Sequence, residues 1–254
     1  MIIATDWVRL LVVCVIFTAA AGAIAWSTGL TSPRPFVKAA ARAVLQLAAV
    51  SAVITFVLTH LSLTGVFLVV MATVAVATSA KRTGTGRRGA WVAAPILVGT
   101  VPALGLLVTT GLLPIEGIAL IPVGGILIGG AMTATTLSAR RALDTLDERH
   151  GEYEAALALG FVEPAAARFL VRQPAAEALL PPLDQTRTVG LVTLPGAFVG
   201  MLLGGAPVWQ AGALQIVVLL GLLAVEAAAV TTVVELVARG VIRRASQEEE
   251  VRLT

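Results

Sequence analysis

Long apolar runs separated by brief polar connectors dominate the chain. A helix crossing the hydrocarbon core of a bilayer takes about 20 mostly apolar residues. On that measure residues 7–27, 37–59, 62–80, 91–112, 117–138, 187–205 and 211–237 each predict a spanning helix. The expected fold is therefore all-α: a polytopic integral membrane protein of about seven transmembrane helices, forming a single transmembrane domain over residues 1–254. Only His60, Leu61 and Ser62 separate the second run from the third, which predicts a tight antiparallel pair. Pro95, Pro102, Pro122 and Pro195 fall inside runs and remove backbone donors there, so each predicts a kink or break that neighbouring helices must satisfy.

Composition agrees with a bilayer as solvent. The chain is 57% hydrophobic and 13% charged, with a mean hydropathy of +0.93, against about 25% charged residues in soluble domains. A pI near 9.7 could point to nucleic acid. The Lys and Arg residues instead sit in short connectors, a pattern that sets topology, and no nucleic-acid partner is expected. Cys14, the single cysteine, excludes an intramolecular disulfide and a cysteine-cluster metal site. The first run is read as a retained helix rather than a cleaved signal, because only the acidic Asp6 precedes Trp7 and the run extends to Trp26.

Basic residues are retained on the cytoplasmic side of a membrane. With the N-terminus outside, the inner connectors hold Arg34 and Lys38, then Lys81, Arg82, Arg87 and Arg88, then Arg140, Arg141, Arg149, Arg168, Arg172 and Arg187. The inner tail adds Arg239, Arg243, Arg244 and Arg252, and Arg9 alone stays near the outer face. The outer connectors around His60, Pro114–Glu116 and Gly204–Trp209 contain no Lys or Arg, so an N-out, C-in topology is expected. The largest segment outside the runs, about 139–186, is then cytoplasmic. It reads as short helices: a charged one over Arg140 to Tyr153, an Ala/Leu-rich stretch from Tyr153 to Leu159 closed by Gly160, and another opening at Pro164 and running to about Gln173. Pro174, Pro181 and Pro182 punctuate the remainder of the segment.

Within that segment, Glu154-Ala155-Ala156 is followed after three residues by Gly160. This resembles the E-A-A-x-x-x-G core of the cytoplasmic loop of ABC transporter permeases. Small residues there allow close approach, the carboxylate offers a polar contact, and the glycine turns the chain between two short helices. The longer pattern places its proline one position earlier than Pro174. Further blocks extend the resemblance: Ile121-Pro122-Val123-Gly124-Gly125, Gly129-Gly130-Ala131-Met132, Ala158-Leu159-Gly160 and Thr188-Val189-Gly190-Leu191-Val192-Thr193-Leu194-Pro195-Gly196. In this order and spacing they resemble the FetB-type permeases, a family associated with iron export. Gly130 departs from the asparagine common in that family. Plant relatives are linked to aluminium tolerance and to a nucleotide sugar, so the resemblance leaves the cargo open.

The chain contains no G-x-x-x-x-G-K-[ST] phosphate loop. The resemblance accordingly implies a membrane subunit without catalysis or cofactor of its own, working as a homodimer in a bacterial plasma membrane with a separate ABC ATPase that binds ATP and magnesium. Glu154, Ala155, Ala156 and Gly160 are the expected coupling residues.

Candidates for a transport route come from polar residues inside runs. A charged Glu226 midway along the last run would cost about 2.5–3.5 kcal/mol on insertion scales. It is expected to serve as a cation ligand or protonatable gate, or to stand as a protonated carboxyl hydrogen-bonded between helices. Arg42 and Gln46, spaced i, i+4, share a face of the second run, where lining a route and bonding between helices are both open. Gln215 has the same two readings. Glu116 and His60 are expected to be solvated loop residues, Asp184 with Gln185 an N-cap boundary before the sixth run, and Met71, Met132 and Met201 packing residues. The paired glycines at 124–125 and 129–130 predict close helix packing. An ABC permease for an organic solute and a secondary transporter without an ATPase are the alternatives; the inverted repeats and paired intramembrane ions of the latter are not apparent.

Overall fold

A computed structural model describes residues 7–58 and 60–244. Asp6 and Arg252 lie outside the described residues, as do the side chains of Arg87 and Arg88. The protein is a polytopic all-α membrane protein. Six helices among the described residues are long and apolar enough to cross a membrane.

The described chain divides into two compact units. The first comprises α1 (Trp7–Ser27) and α2 (Arg34–Leu58). The turn between them closes when the amides of Leu30 and Thr31 donate to the Ala25 carbonyl, with Gly29 at φ +70°. Gly22 gives Pro33 room, since a Cβ there would lie 3.2 Å from the Pro33 Cβ. Nearly every other side chain of this pair is exposed, as expected of helices whose apolar faces meet lipid.

The second unit contains α3 (Leu61–Thr83), a 3₁₀ turn over Gly86–Val92, α4 (Ala93–Thr109), α5 (Gly117–Glu148), α6 (His150–Ala158), α7 (Glu163–Ala176), a 3₁₀ turn over Glu177–Leu179, α8 (Leu180–Thr188), α9 (Gly196–Leu203) and α10 (Val208–Ala238). Its core is the packing of α3, α4 and α10 on α5, with Ile96, Leu127, Leu143, Val225 and Val233 enclosed. Lipid is as apolar as leucine, so helices associate in it through close packing and hydrogen bonds, and small residues mark the contacts. The buried stripe of α5 shows this: Ala131, Ala134, Thr135, Ser138, Ala139 and Ala142 recur at helical spacing. The Thr136 hydroxyl donates to the Ser79 hydroxyl at 2.9 Å and ties α5 to α3 in the interior.

Direction follows from which residues meet. Leu68 lies against Gly124 and Ser79 bonds Thr136, so α3 and α5 run parallel. Leu222 and Glu226 face Gly130, and Arg244 pairs with Asp144 and Asp147, so α10 is parallel to α5 as well. Lys81, Arg82, Arg140, Arg141, Arg239, Arg243 and Arg244 are therefore gathered at one end of the bundle.

Two expectations require correction. The charged stretch from Arg140 is no separate helix; it continues α5 to Glu148, giving 32 residues, about 48 Å of helix against a hydrocarbon core of about 30 Å. The apolar run 187–205 is likewise no spanning helix, so about seven spans become six of spanning length. Gly190 at φ +80° and the Val189–Thr193 bridge fold its first half into a turn, and Pro195 starts α9, which has only 8 residues. Valine and threonine around a left-handed glycine, followed by a proline that disfavours helix at Leu194, satisfy the hydropathy rule but not the backbone. Because α5 and α10 are parallel, α7, α8, this turn and α9 together return the chain along the bundle. Pro102 and Pro122 lie inside α4 and α5, Pro95 sits in the first turn of α4, and Pro195 caps α9.

Gly99 lets α4 and α10 approach closely: a Cβ there would stand 2.9 Å from the Val225 backbone. Gly99→Ala is expected to destabilise the purified protein by about 1–3 kcal/mol as an overpacked contact. Gly105→Ala on the same helix meets open space and should leave thermal unfolding in detergent nearly unchanged.

Candidate functional site

Glu226 is 6% exposed, and among the described residues it is the one charged residue enclosed in the core. Its Oε2 has no hydrogen-bond partner among the described residues. Gly130 faces it from α5. A Cβ at position 130 would lie 2.8 Å from Glu226 Oε1 and closer still to Leu222 Cδ1, so the missing side chain makes the space that the carboxylate occupies. Beside them lies a cavity of about 260 Å³ whose polar lining comes from Glu226, Thr133 and Gln185. Thr133 donates its hydroxyl to the Gly129 carbonyl at 3.0 Å and leaves its oxygen free to accept. The remaining wall is carbon, including Pro181 and Pro182 of α8.

The structure thus brings Glu226 and Gly130 together. Arg42 and Gln46 are exposed on α2 in the first unit, one helical turn apart. Gln215 is buried on α10 three turns before Glu226, with Oε1 unpartnered. Glu116 precedes α5 in extended backbone and His60 precedes α3. No group of three or more His, Cys, Asp or Glu placed to hold a metal ion occurs among the described residues. Asp184 and Gln185 do not cap a helix: both lie inside α8, where Asp184 pairs with Arg187 at 3.4 Å and Gln185 reaches the cavity. Thr133 and Gln185 were missed as cavity residues, since no spacing rule connects position 185 to position 130. The one available signal was an amide beside a proline pair at the edge of an apolar run.

The second feature is the turn between α6 and α7. Gly160 stands at φ +91°, its amide donates to Leu157 O and that of Phe161 to Ala156 O, closing α6 in a Schellman motif. Pro164 follows in the first turn of α7. No residue of α6 is buried. Glu154 is exposed and 3.3 Å from His150 Nε2, and Ala155 offers a small exposed surface. Leu159, Phe161, Val162 and Phe169 also present apolar surface to solvent around the turn. Arg149 bonds Glu152 at 2.7 Å and holds its carboxyl below the usual range. Behind α6 a cavity of about 760 Å³ separates it from the end of α10, with His150, Tyr153, Glu163, Arg239 and Arg243 in its wall. Burial raises the Tyr153 phenol, Glu163 adds to the rise and Arg243 opposes it.

The E-A-A-x-x-x-G core thus lies on an exposed helix that ends at Gly160. Residues 7–242 match the model of the family described as Uncharacterised protein family (UPF0014). The chain belongs to this family. Among relatives, it is 39% identical over 184 residues to the UPF0014 membrane protein STAR2 of Oryza sativa subsp. japonica, covering 71% of this chain and 65% of that one. It is 34% identical over 199 residues to Protein ALUMINUM SENSITIVE 3 of Arabidopsis thaliana, covering 77% and 73%. It is 31% identical over 123 residues to the Probable iron export permease protein FetB of Escherichia coli (strain K12), covering 48% of each. The chain thus spans just under two thirds of the rice family member. No solved structure matches it.

A side chain at Gly160 would be forced into the left-handed region at about 1–2 kcal/mol. Gly160→Ala should accordingly speed limited proteolysis between Leu157 and Glu163 severalfold. Glu154→Gln, which changes only an exposed ion pair, should leave cleavage unchanged.

Proposed function

We propose that this protein is the membrane permease subunit of an ATP-driven ABC transporter, and that a separate ATPase subunit docks on the α6–α7 turn. The carrying observation is that turn: a helix with no buried residue, ended by Gly160 and ringed by Leu159, Phe161, Val162 and Phe169, at the basic end of the bundle. Exposed apolar residues so close together suit a protein partner, and positive charge at that end supports a cytoplasmic placement. In this reading the N-terminus is outside, the C-terminus inside, and the membrane a bacterial plasma membrane.

The permease works as a homodimer with two ATPases. Closure of the ATPases moves α6, which is joined to the bundle through α5 and α7 and separated from α10 by the basic-end cavity. Movement of α7 carries α8, and with it the Pro181, Pro182 and Gln185 wall of the Glu226 cavity, so docking and access are coupled through one stretch of chain. The cargo suggested by the name of the E. coli relative is iron, or another metal ion or its chelate, moved outward. Export of an organic solute is the second reading, favoured by a cavity in which one carboxylate stands among carbon.

Mild-detergent purification of the tagged chain from its native host, followed by mass spectrometry, is expected to recover an ABC ATPase. Gly160→Pro should lose that subunit while the permease still elutes as a single folded species. A folded wild-type preparation without any ATPase would overturn the reading.

A further inference from the structure

Glu226 has no ion-pair partner among the described residues, yet its Oε2 is enclosed and unpartnered beside an open volume of about 260 Å³. An enclosed carboxylate without donors is costly, and either a proton or a positive charge in the adjacent space removes that cost; the open volume has room for the second. The composition of the wall decides which kind of cation. A bare magnesium or calcium ion takes six to eight oxygen ligands, and a structural zinc takes four nitrogen, sulfur or oxygen ligands. This cavity offers one carboxylate, the Gln185 amide and the Thr133 hydroxyl oxygen. A hydrated ion would press part of its water shell against Leu222, Ile126, Leu137 and the two α8 prolines, whose side chains accept no hydrogen bonds. One negative charge also balances only one positive charge.

From these observations we propose that the cavity between α5, α8 and α10 binds a small organic cation of ammonium type. Its single charge is met by Glu226, its N–H groups by Thr133 Oγ1 and the Gln185 carbonyl, and its carbon body by the apolar wall. The assignment rests on the permease reading and selects its second cargo, an organic solute, over a metal ion. Gly130 leaves the carboxylate its place at the cavity edge, since any side chain there would displace it. Gln185 sits on α8, the element that moves with the coupling helices, so occupancy can be sensed at the docking turn.

Isothermal titration of the detergent-solubilised full chain with n-butylammonium chloride tests this, with n-butanol and manganese(II) chloride as comparisons. Butylammonium is expected to bind, and Glu226→Gln to weaken it by about tenfold or more, the loss of one charge-assisted hydrogen bond. Butanol and manganese should show no binding that depends on Glu226. Thr133→Val, which removes an acceptor and keeps the carboxylate, should weaken butylammonium severalfold, and this holds even if Glu226→Gln fails to fold. The assignment is overturned if folded wild type does not bind butylammonium, if Glu226→Gln binds it equally, or if wild type binds manganese through Glu226. The titration uses no ATPase: failure here beside a co-purifying ATPase removes the ligand alone, whereas binding here without any ATPase leaves the site and removes the ABC reading.

Discussion

The close parallel contact of α5 and α10 is the interaction on which the rest of this protein depends. Two helices can share a direction only if the chain between them travels back along the bundle, and here residues 149–207 do so as short helices and turns. That return path supplies both candidate features. Its beginning is the exposed α6–α7 turn, and its middle is α8, which leans over Gly130 and Glu226. A bundle of strictly alternating helices would have no reason to contain either.

Lipid imposes the second constraint. Irregular backbone in a membrane protein must be satisfied by protein or water, and the left-handed turn at Gly190 satisfies one of its amides itself, which donates to Thr193 O at 2.9 Å. Side chains obey the same rule less completely. The buried oxygens Thr135 Oγ1, Gln215 Oε1 and Glu226 Oε2 lack partners, and two of them belong to one face of α10. Polar groups are expensive in such surroundings, so two unsatisfied oxygens on the packed face of α10 do not contribute to stability.

The proposed coupling between the two features requires no long chain of contacts. Arg168 bonds Glu235 at 2.7 Å and holds α7 to the basic end of α10, while Arg141 pairs with Glu177 at 3.4 Å, just before α8. Both pairs are exposed and individually weak. They place α7 without locking it, which suits an element that transmits movement.

Much of this was legible in the sequence because hydropathy and charge act locally. Residues 7–27, 37–59, 62–80, 91–112, 117–138 and 211–237 correspond to helices long enough to span, and the capping glycine at 160 and the start of α7 at Pro164 follow from rules a few residues long. The run 187–205 failed because hydropathy measures what a segment dissolves in, not whether valine, threonine, glycine and proline in that order can hold helical backbone. Arg140 to Glu148 failed because a charged surface does not end a helix that can extend beyond the membrane. Glu226 and Gly130 could each be singled out along the chain, but their meeting, together with Gln185 and Thr133, was decided by tertiary structure alone. Which faces of α5, α8 and α10 turn toward one another depends on side-chain volumes summed over the whole contact, and no local pattern contains that sum.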